Sequence, residues 1–395
     1  MTISNNQSTQ EPTPPLIDEK VGLIRRIWRS RTWYGTEWYI TTFGGLILVV
    51  VILMTIFAPV LAPYDPNGFV GGPFIPPGQG KQALVGRAGE SAQAPSEDLA
   101  GVEIGVTRNT NSIKVVDQLG AVRNQFQSHE EMVTGLLSNQ VNLIFVAEQE
   151  TPELLSENPG LEVFSEGYGV NFPMGTDNLG RDIVSRIIWG ARTIMTVALS
   201  SALISSVIGV TLGLISGFIS GTTDRVISLL MDSIYSFPGL LLAIAMVAML
   251  GPGLINVAVA VSVIYIPTFF RVVRGQVLSV KEELYVDAAR SLGATPASIL
   301  RQYILPNVIP SIVIVFSLNV ADAILTEACL SFIGLGLPPD IPDWGYDISK
   351  GHAYLVSGRW WLITFPGLMI TLVATGFSLL GEGLSEILNP RLLRK

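Results

Sequence analysis

The chain has 395 residues, 49% of them hydrophobic and only 14% charged, with a formal net charge of −8 and a positive mean hydropathy. Soluble domains carry about 25% charged residues, so the composition is that of a membrane protein, and the acidic balance argues against nucleic acid as a partner. The single cysteine, Cys329, excludes an internal disulfide. Gly80-Lys81 is followed by Gln82 and lacks the upstream glycine of a phosphate-binding loop, so any ATP that drives this protein is held by another chain.

In chain order, residues 1–38 read as a polar tail. It is rich in Ser, Thr, Gln, Asn and Pro up to about residue 20. Lys20, Arg25, Arg26, Arg29 and Arg31 then alternate with Trp28, Trp33 and Trp38, a pattern suited to a membrane surface. The apolar run 40–62, within a first segment 39–63, is too long and too far from the N-terminus for a signal peptide and reads as an uncleaved span. Five further spans are predicted at about 192–219, 228–250, 254–273, 308–334 and 361–384, each near the ~20 residues that cross the hydrocarbon. Six spans place both termini on one side. The basic residues of the tail, Arg225, Arg271, Arg274, Lys281, Arg290, Arg301 and Arg391, Arg394, Lys395 put that side in the cytoplasm, against Lys350 and Arg359 in the short outer loop.

The segment between the first two spans, 64–170, is long. Residues 68–100 are rich in Gly, Pro, Ala, Ser and Gln and read as a linker. From Val102 strands and helices alternate: a strand over 102–107, a helix capped by Thr110 or Asn111, a strand over 122–127, and a helix opened by a Ser128/Glu131 capping box. A buried strand over 141–147, a short helix over 152–157 and a strand over 161–164 complete it. This predicts an extracytoplasmic α/β insert of about 101–165 with parallel pairing. The remaining 171–390 form the membrane core. There Gly209, Gly213, Gly217 and Gly221 make a small-residue stripe suited to close helix packing, within the bundle or at a subunit seam. Pro238 and Pro267 predict kinks in their spans.

The loop 274–306 is the most polar stretch of the C-terminal half. Leu284, Ala288 and Leu292 recur at helical spacing, and Gly293 marks the helix end. Thr295 and Pro296 open a second short helix that Pro306 is expected to stop. Among the ionisable residues in predicted spans, Asp232, Asp322 and Glu327 are costly at membrane depth. They mark either a pathway or a satisfied structural pair. His129 and His352 have no neighbours at ligand spacing, so no metal site is expected.

Asp287-Ala288-Ala289, Gly293, Tyr303, Leu305 and Pro306 resemble the EAA loop of ABC importer permeases, with Asp287 where Glu is usual. Gly175-Thr176-Asp177-Asn178-Leu179-Gly180-Arg181-Asp182 resembles a signature of the C-type permeases of dipeptide, oligopeptide and nickel importers. Glu327 to Gly336 with Pro338-Pro339 and Pro342-Asp343-Trp344-Gly345 resembles another, and Pro63-Tyr64-Asp65-Pro66 also fits. This resemblance implies an all-α membrane protein of six transmembrane helices of the type I ABC importer permease kind, which is not an enzyme. It implies a homologous second permease, two ATPase subunits that bind ATP-Mg, an extracytoplasmic solute-binding protein and the surrounding membrane lipid as partners. It assigns coupling to the ATPase to Glu283, Tyr285, Asp287, Ala288, Ala289, Arg290, Gly293, Leu305 and Pro306, and leaves Asp322 and Glu327 as candidates for the translocation path. The insert resembles one lobe of a periplasmic amino-acid-binding protein, which makes Thr107, Arg108, Thr110 and Ser112 a candidate ligand or docking loop. Readings of another class stay open: an importer of nickel or another small solute, an ion-coupled secondary transporter, or a solute-sensing membrane receptor.

Overall fold

The computed structural model describes residues 23–89, 99–108 and 110–387. The polar tail up to Gly22, most of the glycine- and alanine-rich stretch at 90–98, Asn109 and the basic C-terminal end lie outside the described residues. The first helix, α1, runs Leu23–Ile56, and its apolar portion is Trp38–Ile56. A single turn, α2 (Ala58–Leu61), follows it.

The α/β unit comes next: β1 (Gln82–Arg87), β2 (Glu103–Thr107), α3 (Asn111–Gln118), β3 (Val122–Phe126), α4 (His129–Leu137), β4 (Leu143–Ala147), α5 (Thr151–Glu157) and β5 (Leu161–Tyr168). The sheet order is β3-β2-β4-β1-β5. β2 pairs in parallel with β3 and β4, as strand–helix alternation predicts, whereas β1 is antiparallel to β4 and β5. Both faces are covered. Val85, Ile144 and Val146 point to α4 and α5, while Leu84, Leu143 and Phe145 point to Val115 and Val116 of α3.

β1 corrects the linker reading of 68–100. Its residues are buried on both faces, so the strand shows no alternation of polar and apolar residues, only the short run Ala83-Leu84-Val85 between glycines. The segment before it is equally committed. Val70 and Gly71 donate to the Gly180 carbonyl, and Ile75 exchanges hydrogen bonds with Thr176. The α/β unit therefore begins near Gly80 rather than at 101 and is tied to the membrane core through 70–80.

The membrane core is α6 (Ile183–Ile219), α7 (Gly221–Tyr235), α8 (Gly239–Leu250), α9 (Leu254–Val280), α10 (Leu284–Ser291), α11 (Pro296–Ile299), α12 (Leu305–Ile333), α13 (Trp344–Gly351) and α14 (Trp361–Ile387). Among the described residues five helices are long and apolar enough to cross a membrane, and the bent pair α7 and α8 makes a sixth span if taken together. That pair corrects the kink expected at Pro238: the helices meet at 87° across a true break. Pro238 has no N–H to extend a helix, and its neighbour Phe237 is pushed from the helical region. Pro267, by contrast, lies inside the continuous α9.

Three of the four stripe glycines pack within the chain, whereas Gly221 opens α7 at φ +66 with no atom within 4 Å of a Cβ placed there. A Cβ on Gly209 would stand 2.7 Å from the Ile266 carbonyl oxygen, and those on Gly213 and Gly217 would stand 2.9 and 2.8 Å from Val273 and Val277 of α9. α6 and α9 thus approach backbone to side chain, which is how small residues act between membrane helices.

Candidate functional site

The loop between α9 and α12 is built from the inside outward. Val273 and Val277 of α9 and Val308 of α12 form an apolar floor. Val286 and Ala289 of α10, with Ile299 and Ile304 beyond it, turn down onto that floor and are buried. The opposite edge of α10 is bare: Leu284 is 84% exposed and Leu292 89% exposed, with Ala288 exposed between them and Tyr285 half open beside them. The two alanines therefore part company, Ala288 outward and Ala289 inward.

The helix end is set by Gly293 at φ +85. Its N–H bonds the Arg290 carbonyl and the Ala294 N–H bonds the Ala289 carbonyl, the paired bonds of a Schellman end that only a residue free to take positive φ allows. Glu283 holds the N-cap position in an extended conformation. Asp287 and Arg290 pair on the surface at 3.0 Å. Thr295 then accepts from the Ser298 N–H and opens α11 with Pro296 at its start.

The expected stop at Pro306 does not occur. A π-turn over Leu300–Ile304, in which the Leu305 N–H reaches back to the Leu300 carbonyl, leads directly into α12, and Leu305 and Pro306 form its first turn. Proline is tolerated there because the π-turn just before it absorbs the missing N–H of Pro306. Among the described residues this loop is the one place where two large aliphatic side chains stand almost fully in the open outside the long apolar helices, on a helix otherwise rooted in the core.

A second cluster gathers the signature at 175–182, just after the α/β unit, and the signature at 327–345. Asp177 accepts from the backbone N–H groups of Leu179 and Arg181 and pairs with the Arg181 side chain at 2.6 Å. Asp182 caps α6 through the Ser185 N–H. Arg186, 1% exposed, forks onto both Asp347 oxygens of α13 and donates to the Pro66 carbonyl. Trp344, fully buried, donates to the Ile187 carbonyl and lies across Gly190. Asp343 accepts from the Gly345 and Tyr346 N–H groups and from the Ser331 hydroxyl. Sequence reasoning passed over Arg186, Ser331 and Asp347. The available signal was their position within or one turn beyond the quoted signatures.

Glu327 belongs to this cluster. It is wholly buried, one oxygen lies 3.0 Å from the Ser331 hydroxyl, and the other has no partner among the described residues. Asp322 does not join it. Asp322 is exposed on the other side of α12, so the structure separates the two acidic residues proposed for the path.

The candidate loop of the α/β unit is covered by the chain itself. Thr110 bonds the Thr107 carbonyl at 2.7 Å, Ser112 bonds Gln82 at 2.7 Å, and Arg108 extends to Gln127 at 3.4 Å on the surface. The start of α3 faces Gly72: a Cβ there would lie 2.5 Å from the Asn111 nitrogen. Asn111 accepts from the Gly72 N–H and donates to the Gly80 carbonyl. The place where a ligand carboxylate would approach free N–H groups is thus filled by the 70–80 segment. A cavity of about 190 Å³ remains beside it, lined by Gln82, Thr107, Thr110, Ser112 and His129 among others.

Two family models match the chain: the binding-protein-dependent transport system inner membrane component over residues 209–394, and the N-terminal TM domain of oligopeptide transport permease C over residues 41–81. A glutathione transport system permease protein GsiD of Pectobacterium atrosepticum is 44% identical over 228 residues, which is 58% of this chain and 75% of the relative. The protein of that name from Shigella flexneri is 42% identical with the same coverage. A solved structure of the MetNI methionine ABC transporter in an inward-facing conformation is 19% identical over 51% of this chain and 94% of that one, with a TM-score of 0.44.

Proposed function

We propose that this chain, which belongs to the family of binding-protein-dependent inner-membrane permeases in its dipeptide and oligopeptide branch, forms one membrane-spanning half of an ATP-driven importer of peptides. Membership makes it a multi-pass transport permease of the ABC importer class rather than an enzyme. An importer of this kind works with ATPase and solute-binding partners. The finer reading is that a homologous second permease completes the path. Two ATPase subunits, which hold ATP-Mg, dock on the loop 274–306 from the cytoplasm, where both termini also lie. The peptide class rests on the glutathione-transporting relatives.

The observation that carries the coupling role is the outward edge Leu284–Ala288–Leu292 on an inwardly anchored α10. Burying each leucine in a partner's cleft is worth about 1.5–3 kcal/mol, and Val286 and Ala289 make the helix stiff against its own floor. A push on α10 therefore passes to α9 and α12 together. ATP-driven closure of the ATPase pair would move these helices and rock the spans.

The test is co-purification of the ATPase subunits and ATP-driven uptake of a labelled dipeptide in vesicles carrying Leu284→Ser with Leu292→Ser. Both are expected to be lost while the permease remains in the membrane. Full co-purification with normal uptake would remove α10 from the ATPase interface.

A further inference from the structure

Most ionisable side chains in the long apolar helices have a partner. Asp224 bonds Arg274, Asp232 bonds Arg271 at 2.7 Å, Arg186 bonds Asp347 and Glu327 meets Ser331. Glu382 lies in the last two turns of α14 and Arg192 stacks on Trp189 near the start of α6. Asp322 differs: its carboxylate has no hydrogen-bond or ion-pair partner among the described residues, and it is exposed. It lies eleven residues before the end of α12 at Ile333, about 16 Å at 1.5 Å per residue and near the middle of a ~30 Å hydrocarbon layer. An unpaired carboxylate at that depth against lipid is costly, and such groups face a water-filled passage.

The surroundings of Asp322 define what it takes. Thr326, one turn on, donates its hydroxyl to the Asp322 carbonyl at 2.9 Å. Its proton is therefore used, so in the 2.8 Å contact between Tyr265 and Thr326 the phenol is the donor. That leaves lone pairs on the Tyr265 oxygen. The spot presents a carboxylate and a phenol oxygen as acceptors, and neither hydroxyl has a proton to spare. Leu325 and Phe332 on the same exposed flank are apolar. Such a site suits a compact donor cation rather than an anion.

We infer that Asp322, with Tyr265 beside it, faces the substrate passage and binds the ammonium group of the passing solute. On the reading given above, on which the solute class rests, this group is the free amino terminus of a peptide. Neither the family models nor the named relatives assign such a site.

Cys329 offers the probe. It is the chain's single cysteine, exposed, and seven residues along α12 from Asp322, hence on nearly the same side of the helix. In vesicles holding the assembled transporter, its modification is followed by mass on this chain, with a trimethylammonium thiosulfonate and with the matching sulfonate. Normalised to free cysteine, the cationic reagent is expected to react at least about fourfold faster, the ratio that a unit charge roughly 10 Å away produces between opposite charges even at the dielectric of water. Asp322→Asn should bring the ratio to about one and Asp322→Glu should keep it. Dialanine should slow the cationic reagent, and N-acetyl-dialanine should not.

Three results would overturn the inference: no reaction with either reagent, a ratio unchanged in Asp322→Asn, or equal protection by both peptides. ATP-driven uptake of labelled dialanine by the same vesicles judges the peptide reading separately. If uptake is absent while labelling stays charge-selective, the peptide reading falls and the cation site stands.

Discussion

The loop helix α10 and the buried cluster around Arg186 and Trp344 both come from sequence signatures, yet they use their residues in opposite ways. In the cluster the signature side chains are spent on one another: Arg186 on Asp347, Trp344 on Ile187, Asp343 on Ser331 and the α13 backbone. Apart from one oxygen each of Glu327 and Asp182, which are buried without a partner among the described residues, little is left over for a visitor. In α10 the signature residues divide, with Val286 and Ala289 facing inward and Leu284, Ala288 and Leu292 outward, uncovered by any described residue. A signature alone therefore does not tell framework from interface. The direction of its side chains does.

The comparison is broken most severely from the buried side. Arg186→Met leaves Asp347 as a buried carboxylate without its cation, and removing one partner of a buried pair costs about 3–5 kcal/mol. Little folded permease is expected in the membrane, read as a lowered yield and a lowered Tm in detergent. The Arg186→Met/Asp347→Leu pair should recover part of the loss, because two apolar residues leave no charge stranded. If the single variant is as stable as the parent, the cluster is not the frame described here.

On the exposed side, Leu284→Ser and Leu292→Ser remove area that the proposed coupling role would bury only in the assembled transporter. The prediction is an unchanged Tm for the isolated permease, with docking weakened by about 1.5–3 kcal/mol for each leucine. Measured together, Tm and ATPase affinity should move separately in the two regions: Tm alone with Arg186, affinity alone with the leucines.

How much of this was legible follows the same line. Helix ends written in local chemistry were readable: Gly293, Thr295 with Pro296, and the Ser128/Glu131 box, where Ser128 accepts the Glu131 N–H and Glu131 accepts that of Gln127. The apolar spans were readable because twenty apolar residues leave few alternatives. β1 was not, since a strand buried on both faces between glycines has no period to detect. The break at Pro238 and the continuation through Pro306 were not, because a proline shows where an N–H is missing but not whether a sharp bend or a π-turn absorbs the loss. The partition of Asp322 from Glu327 was half visible. Their spacing of five sets them about 140° apart, but which one turns inward depends on Ser331 and Asp343 arriving from farther along the chain.

Gly293→Ala tests the joint between the two kinds of residue. No atom stands within 4 Å of a Cβ placed there, so the expected effect comes from backbone alone, at φ +85. Left-handed geometry costs an ordinary residue roughly 1–2 kcal/mol. The end of α10 should fray, seen as faster amide exchange at Leu292 and Gly293, with a partial loss of uptake. A larger side chain here has room, so Gly293→Ala and Gly293→Leu should behave alike. A much worse leucine would mean that a partner packs against this position.

The smallest effect belongs to Asp287 and Arg290. Their side chains are each 59% exposed, and surface pairs of this kind contribute about 0–1 kcal/mol. Asp287→Asn should leave the Tm of the isolated permease unchanged within error. Any change then belongs to the proposed docked state, where an ATPase surface would remove water from both groups and strengthen whatever charge they meet. The measurement is uptake against ATPase concentration at low and high salt. A shift present at low salt and erased at high salt would place Asp287 at the contact beside the leucine edge. An equal shift at both would mean that the carboxylate acts on the helix itself, and the outward face of α10 would then be defined by Leu284, Ala288 and Leu292 alone.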